Sequence, residues 1–180
     1  MAKCPIREIA IKASRDQIPL LLIGGYAVLA HGYVRATDDL DLIASHGQRE
    51  RWSKLLVGFG MTIKNDAATF LQFDPPDKSS MAVDLMFVSE EVFVKLEQNA
   101  VETEIEGVRV RVVALLHLIA LKCHAFEHSK SIRRLKDIDD LIQLILINKL
   151  NLNDPELRAT IVKHGSLETY EKLRHACVED

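Results

Sequence analysis

The run Met81-Ala82-Val83-Asp84-Leu85-Met86-Phe87-Val88 sets one carboxylate among seven apolar residues. An ionised acid in such company is costly unless one face of the strand is wet or carries a cation. The run therefore reads as a β-strand with a buried face and a polar one, although an edge-strand charge would satisfy the same pattern. A second segment, Asp39-Leu40-Asp41-Leu42-Ile43, alternates charged and apolar residues with period two. On a strand, Asp39 and Asp41 project together while Leu40 enters the core. Adjacent carboxylates repel unless a cation or a raised pKa relieves them. Hard oxygen ligands at this spacing suit Mg²⁺, and a solvated strand end is the plainer alternative. If the two strands are neighbours, Asp39, Asp41 and Asp84 converge on a two-metal site for in-line phosphoryl or nucleotidyl transfer.

A third feature precedes both. The apolar strand Leu20–Ile23 stops at Gly24-Gly25, and a helix is expected from Tyr26 to His31. Backbone N–H groups at such a junction have no side chain in the way and can bind phosphate; a tight strand-to-helix turn needs the same residues.

Further patterns fill in the fold. Helices are expected over 6–16, 48–58 and 90–98. Strands are expected over 61–64 and 69–73, joined through Asn65-Asp66 and followed by a Pro75-Pro76 turn. Val101 to Val113 alternates around Glu106-Gly107, a β-hairpin signal. Beyond it the spacing is helical over 114–126, 131–148, 155–164 and 166–177. The expected class is α/β (α+β): a mixed sheet flanked by helices over 1–113, then a helical subdomain over 114–180.

The 23 Lys and Arg stand against 26 Asp and Glu, a net charge of −3, which disfavours a protein that lives by wrapping nucleic acid. Cys4, Cys123 and Cys177 are scattered and form no disulfide framework or Cys-based zinc site. The first residues carry charge throughout, unlike a signal peptide, and no apolar run is long enough to span a bilayer, so a cytoplasmic location without membrane contact is expected.

These motifs carry a resemblance. Leu22-Ile23-Gly24-Gly25-Tyr26, thirteen residues after Gly25, then Asp39-Leu40-Asp41-Leu42, resembles the nucleotidyltransferase signature of the DNA polymerase β superfamily. Arg35-Ala36-Thr37 is similar to the Arg-x-Thr/Ser lead-in of many minimal members, and Asp84 matches the third carboxylate by context. Lys122 in Leu115–Lys122 and Asp137 in Lys136-Asp137-Ile138-Asp139-Asp140-Leu141 resemble the abortive-infection and type IV toxin group. The resemblance covers Leu20 to about Leu146. It implies that Asp39, Asp41 and Asp84 hold two Mg²⁺ ions (or Mn²⁺) and that Gly24 and Gly25 present N–H groups to the phosphates of an NTP. It further implies that Arg35, Thr37, Lys122 and Asp137 contribute to nucleotide binding, with Asp137 orienting Lys122 or touching ligand. Gly25 stands where many members have Ser. The implied activity moves an NMP to a hydroxyl of tRNA, protein or a small molecule such as an aminoglycoside or lincosamide. A cognate antitoxin or a second copy is an implied partner.

Other readings compete. The fold can persist as an inactive binding or antitoxin-like module. His124-Ala125-Phe126-Glu127-His128 matches H-x-x-E-H, in which two imidazoles on one helix face bind zinc and Glu127 is the base of a peptidase; an ordinary helix end is the alternative. The basic cluster Lys130, Arg133, Arg134 and Lys136 reads as surface charge paired with Asp137, Asp139 and Asp140, or as a contact to RNA or triphosphate. Trp52 is expected to pack on the sheet, and His31 and His117 to be core or surface histidines.

Overall fold

The two alternating segments become neighbouring parallel strands, and the rest of the sheet is built outward from them. The computed structural model describes residues 5–129 and 132–178. Strands β1 (Leu21–Leu22), β2 (Asp39–Ser45), β3 (Thr62–Ala67), β4 (Phe70–Asp74), β5 (Ala82–Val88), β6 (Val101–Ile105) and β7 (Val108–Val112) form one mixed sheet in the order β3-β4-β5-β2-β1-β7-β6. β2 pairs with β5, and β1 with β7, in parallel, and the other neighbours are antiparallel. Leu40, Leu42, Val83 and Leu85 are fully buried on one face of β2 and β5, with Trp52 and Leu56 also in the core. Period-two alternation leaves Asp39, Asp41 and Asp84 on the other face.

Helices α1 (Ile6–Arg15), α2 (Gly24–Ala30), α3 (Arg49–Gly58) and α4 (Glu90–Gln98) accompany the strands. The Ser89 hydroxyl accepts from the Val92 N–H at the start of α4, a side-chain N-cap. The β6–β7 turn falls at Glu106-Gly107, with φ of 51° and 71°, the twin positive values of a two-residue hairpin loop. The β3–β4 hairpin departs from the sequence expectation. Asn65 and Asp66 lie within β3, paired with Gln72 and Leu71, and the turn falls at 68–69. A register irregularity between Ile63 and Asn65 lengthens β3 past the polar pair that resembled a turn.

The last third supplies α5 (Leu115–His128), α6 (Ile132–Ile147), α7 (Pro155–His164) and α8 (Leu167–Val178). Their apolar stripes meet in a core that includes Ile119, Cys123, Leu141, Ile145, Ile161 and Leu173. The Asp154 carboxylate caps α7 by accepting from the Leu157 N–H at 2.9 Å, with Pro155 in the first turn.

The chain forms two compact units, Met1–Ala27 with Arg35–Ala114, and Val28–Val34 with Leu115–Asp180. The short segment joins the helices for visible reasons. Asn148 Nδ2 donates to the His31 carbonyl at 3.0 Å, the Tyr33 hydroxyl donates to Asp139 at 2.7 Å, and a Cβ at Gly32 would lie 3.0 Å from Ile147. Among the described residues no helix is long and apolar enough to cross a membrane.

Candidate active site

Sheet register brings the three sequence-predicted acids together. Asp41 faces Asp84 directly across the β2–β5 pair, and Asp39 faces Ala82 one step along the same face. One carboxylate oxygen of each lies within 4.8 Å of the others, and all three side chains are half-buried. Each acid is oriented by an uncharged donor. The Gly25 N–H points at Asp41 Oδ2 (3.4 Å), the Thr37 hydroxyl reaches Asp39 Oδ1 (3.3 Å), and Gln72 Nε2 donates to Asp84 Oδ2 (3.0 Å).

The diglycine is required by space. Gly24 has φ of +58°, and a Cβ there would sit 1.8 Å from Asp41 Oδ2. A Cβ at Gly25 would fall 2.2 Å from the Thr37 hydroxyl and 3.5 Å from a guanidinium nitrogen of Arg35. Thr37 and Arg35 thus border the diglycine turn, and the threonine hydroxyl fills the space a side chain at position 25 would need. Arg35 also donates to the Ala36 carbonyl at 2.9 Å.

Three carboxylates this close carry mutual repulsion that a divalent cation relieves, and a hard, all-oxygen, partly hydrated donor set fits Mg²⁺ or Mn²⁺. Among the described residues this is the one group of three or more His, Cys, Asp or Glu side chains placed to hold a metal ion.

Solved structures share this architecture. The antibiotic-resistance factor ANT(2'')-Ia superposes with a TM-score of 0.67 at 18% identity, over 97% of this chain and 96% of its own. An antigenic nucleotidyltransferase-like protein from Paracoccidioides brasiliensis gives 0.58 at 18% identity, over 96% of this chain and 90% of its own. The lincosamide antibiotic adenylyltransferase LnuA, solved with lincomycin, gives 0.55 at 13% identity, over 77% of this chain and 95% of its own. The chain has the nucleotidyltransferase fold. No protein-family model matches the chain, and no curated protein does. The nucleotidyltransferase fold is therefore visible in the path of the backbone where overall sequence similarity is low.

The helical unit holds the other sequence-predicted residues. Lys122 Nζ lies 2.9 Å from Asp137 Oδ1 and 2.6 Å from Asp140 Oδ2, with Lys122 9%, Asp137 4% and Asp140 0% exposed. Asp137 Oδ2 is buried without a hydrogen-bond partner. The charge pattern alone makes Asp140 a surface acid; its place three residues after Asp137 on one helix face is the signal that marks it as a partner of the same buried group. Among the described residues, buried Asp137 and Asp140 meet Lys122 rather than the expected surface cations, and exposed Asp139 accepts from the Tyr33 hydroxyl. Arg134 instead lies over the Phe126 ring, 4.4 Å from its centre. Lys130 and Ser131, at the start of the expected helix, lie outside the described residues, as does Cys4.

The H-x-x-E-H segment is organised around its own helix and α8. His128 Nδ1 lies 2.8 Å from the His124 carbonyl, and Glu127 accepts from the Ser166 hydroxyl at 2.6 Å and from that of Thr169. Hydrogen bonds from Ser166 first and Thr169 second hold the Glu127 carboxyl below the usual range. Sequence reasoning missed Gln72, because the register that sets it beside Asp84 depends on the β4–β5 pairing.

Proposed function

We propose that this chain is a divalent-cation-dependent nucleotidyltransferase that moves an NMP from an NTP to the hydroxyl of a small molecule, releasing pyrophosphate. The observation that carries the reading is the convergence of Asp39, Asp41 and Asp84 beside the diglycine turn, on a fold shared with proteins of this class. Asp39, Asp41 and Asp84 are the residues that would hold Mg²⁺ or Mn²⁺, which when bound offsets the charge that develops on the transferring phosphoryl group. Gly24 and Gly25 offer backbone N–H groups to the phosphates, and Arg35 and Thr37 border the same turn. Thr37 supplies the hydroxyl that Gly25 lacks. In an in-line displacement the acceptor oxygen forms the new bond to phosphorus as the bond to pyrophosphate breaks on the opposite side. With the leaving phosphates at the diglycine turn beside Asp41, the acceptor enters on the Asp84 side of the row.

The acceptor class follows the neighbours: ANT(2'')-Ia is also known in complex with adenylyl-2''-tobramycin, and LnuA is a lincosamide adenylyltransferase. Incubation of the protein with α-labelled NTPs and Mg²⁺ against aminoglycosides, lincosamides and total tRNA tests the reading. Label should move to a small molecule and be lost in Asp41→Asn and Asp84→Asn. Transfer that survives both substitutions would remove the catalytic assignment, and label on tRNA alone would replace the acceptor.

A further inference from the structure

We propose that Gln72 is a positioning residue for Asp84, fixing the carboxylate orientation through which the third acid meets the metal; this rests on the nucleotidyltransferase reading above. The register makes one row across the sheet face: Gln72 on β4 faces Asp84 on β5, which faces Asp41 on β2, which meets the Gly25 N–H after β1. Asp41 and Asp84 are thus each held from the outer side of the row, one by a backbone N–H and the other by a side-chain amide.

The chemistry of the amide fixes its direction. An ionised carboxylate only accepts hydrogen bonds, so the Nε2 end of Gln72 faces Asp84 Oδ2, at 3.0 Å. Its Oε1 end then faces outward and accepts from Asn65 Nδ2 at 3.4 Å, on the neighbouring edge strand. Gln72 is half-buried, its backbone is paired on both sides of β4, and its amide is held at one end by Asn65 and at the other by Asp84. Groups that hydrogen-bond a ligating carboxylate set its angle, and removing them weakens metal affinity or activity by about 10–100-fold. Asp84 stands on the acceptor side, so a loosened carboxylate there impairs the chemical step more than NTP binding.

Mn²⁺ alone is the probe. Its binding is measured by the EPR signal of the free ion, with and without α,β-methylene-ATP, for the whole chain and for Gln72→Met, Gln72→Leu, Asp84→Asn and the Gln72→Met/Asp84→Asn pair. Methionine keeps the length of the side chain without the donor, and leucine checks that the result is not peculiar to one replacement. Each glutamine variant should weaken Mn²⁺ binding by about 10-fold or more while its thermal midpoint stays near that of the parent. In the Asp84→Asn background Gln72→Met should add nothing, because the path through Asp84 is already gone. Three results overturn the proposal. Parent-like Mn²⁺ affinity in both glutamine variants, with Asp84→Asn impaired, removes Gln72 and leaves the nucleotidyltransferase reading standing. An equal loss on either background shows that Gln72 acts through the fold at large. Equal Mn²⁺ binding by the parent and Asp84→Asn removes Asp84 as a ligand and the inference with it, and no binding by the parent in either arm removes the metal site itself.

Discussion

The sheet unit and the helical unit each gather acids, and they hold them on opposite terms. Asp39, Asp41 and Asp84 stay half-buried, and each meets an uncharged donor: a hydroxyl, a backbone N–H and an amide. Asp137 and Asp140 are buried and closed around Lys122, their counter-charge built into the helix core. The first arrangement is open to an added cation; the second carries its own. A buried ion cluster is costly to desolvate but costlier to break, whereas exposed acids are screened by water.

Breaking each cluster should separate the two. Lys122→Met leaves two buried carboxylates facing each other and should cost about 3–5 kcal/mol of stability, read by urea denaturation. A loss below about 1 kcal/mol would show that the buried trio is not structural. Asp41→Asn should do the converse, lowering transfer by about 10²–10³-fold while moving stability by less than about 1 kcal/mol. A large fall in its unfolding midpoint would mean the open cluster is also part of the framework.

Two smaller effects sharpen the contrast. Gly24→Ala places a Cβ into Asp41 at a left-handed φ, and should cost about 2 kcal/mol together with activity, since the backbone or the acid must move. In the helical unit, Thr169→Val removes one donor to Glu127 and should cost about 1 kcal/mol at neutral pH. Its pH dependence has a definite sign. Glu127 is held below its ordinary range in the folded state, so the stabilisation is full above that range and fades as pH falls through it. The gap between parent and Thr169→Val should therefore close on acidification, and a gap that stays constant with pH would assign it to packing alone.

Much of the site was legible because its signals are local. Side chains two apart on a strand share a face, which aligned Asp39 with Asp41, and one acid in an apolar run marked Asp84. Glu106-Gly107 announced its turn for the same reason. Asn65-Asp66 misled, because a strand irregularity carries β3 through a pair whose composition favours a turn. Val28–Val34 reads locally as the sequel to the diglycine, yet Asn148 and Asp139, more than a hundred residues away, draw it to the helices. Among the helix acids, sequence spacing offered Asp140 several surface cations, and burial selected Lys122.

The order of residues thus determined the strands, the diglycine junction, the helical last third and the identity of the acids, since each follows from backbone period and side-chain chemistry within a few positions. Tertiary structure alone decided which strands became neighbours, and with that the facing of Asp41 with Asp84, the amide of Gln72 behind them, and the closure of Asp140 on Lys122. These depend on register and burial, which arise between segments distant in the chain and leave no trace in any one of them.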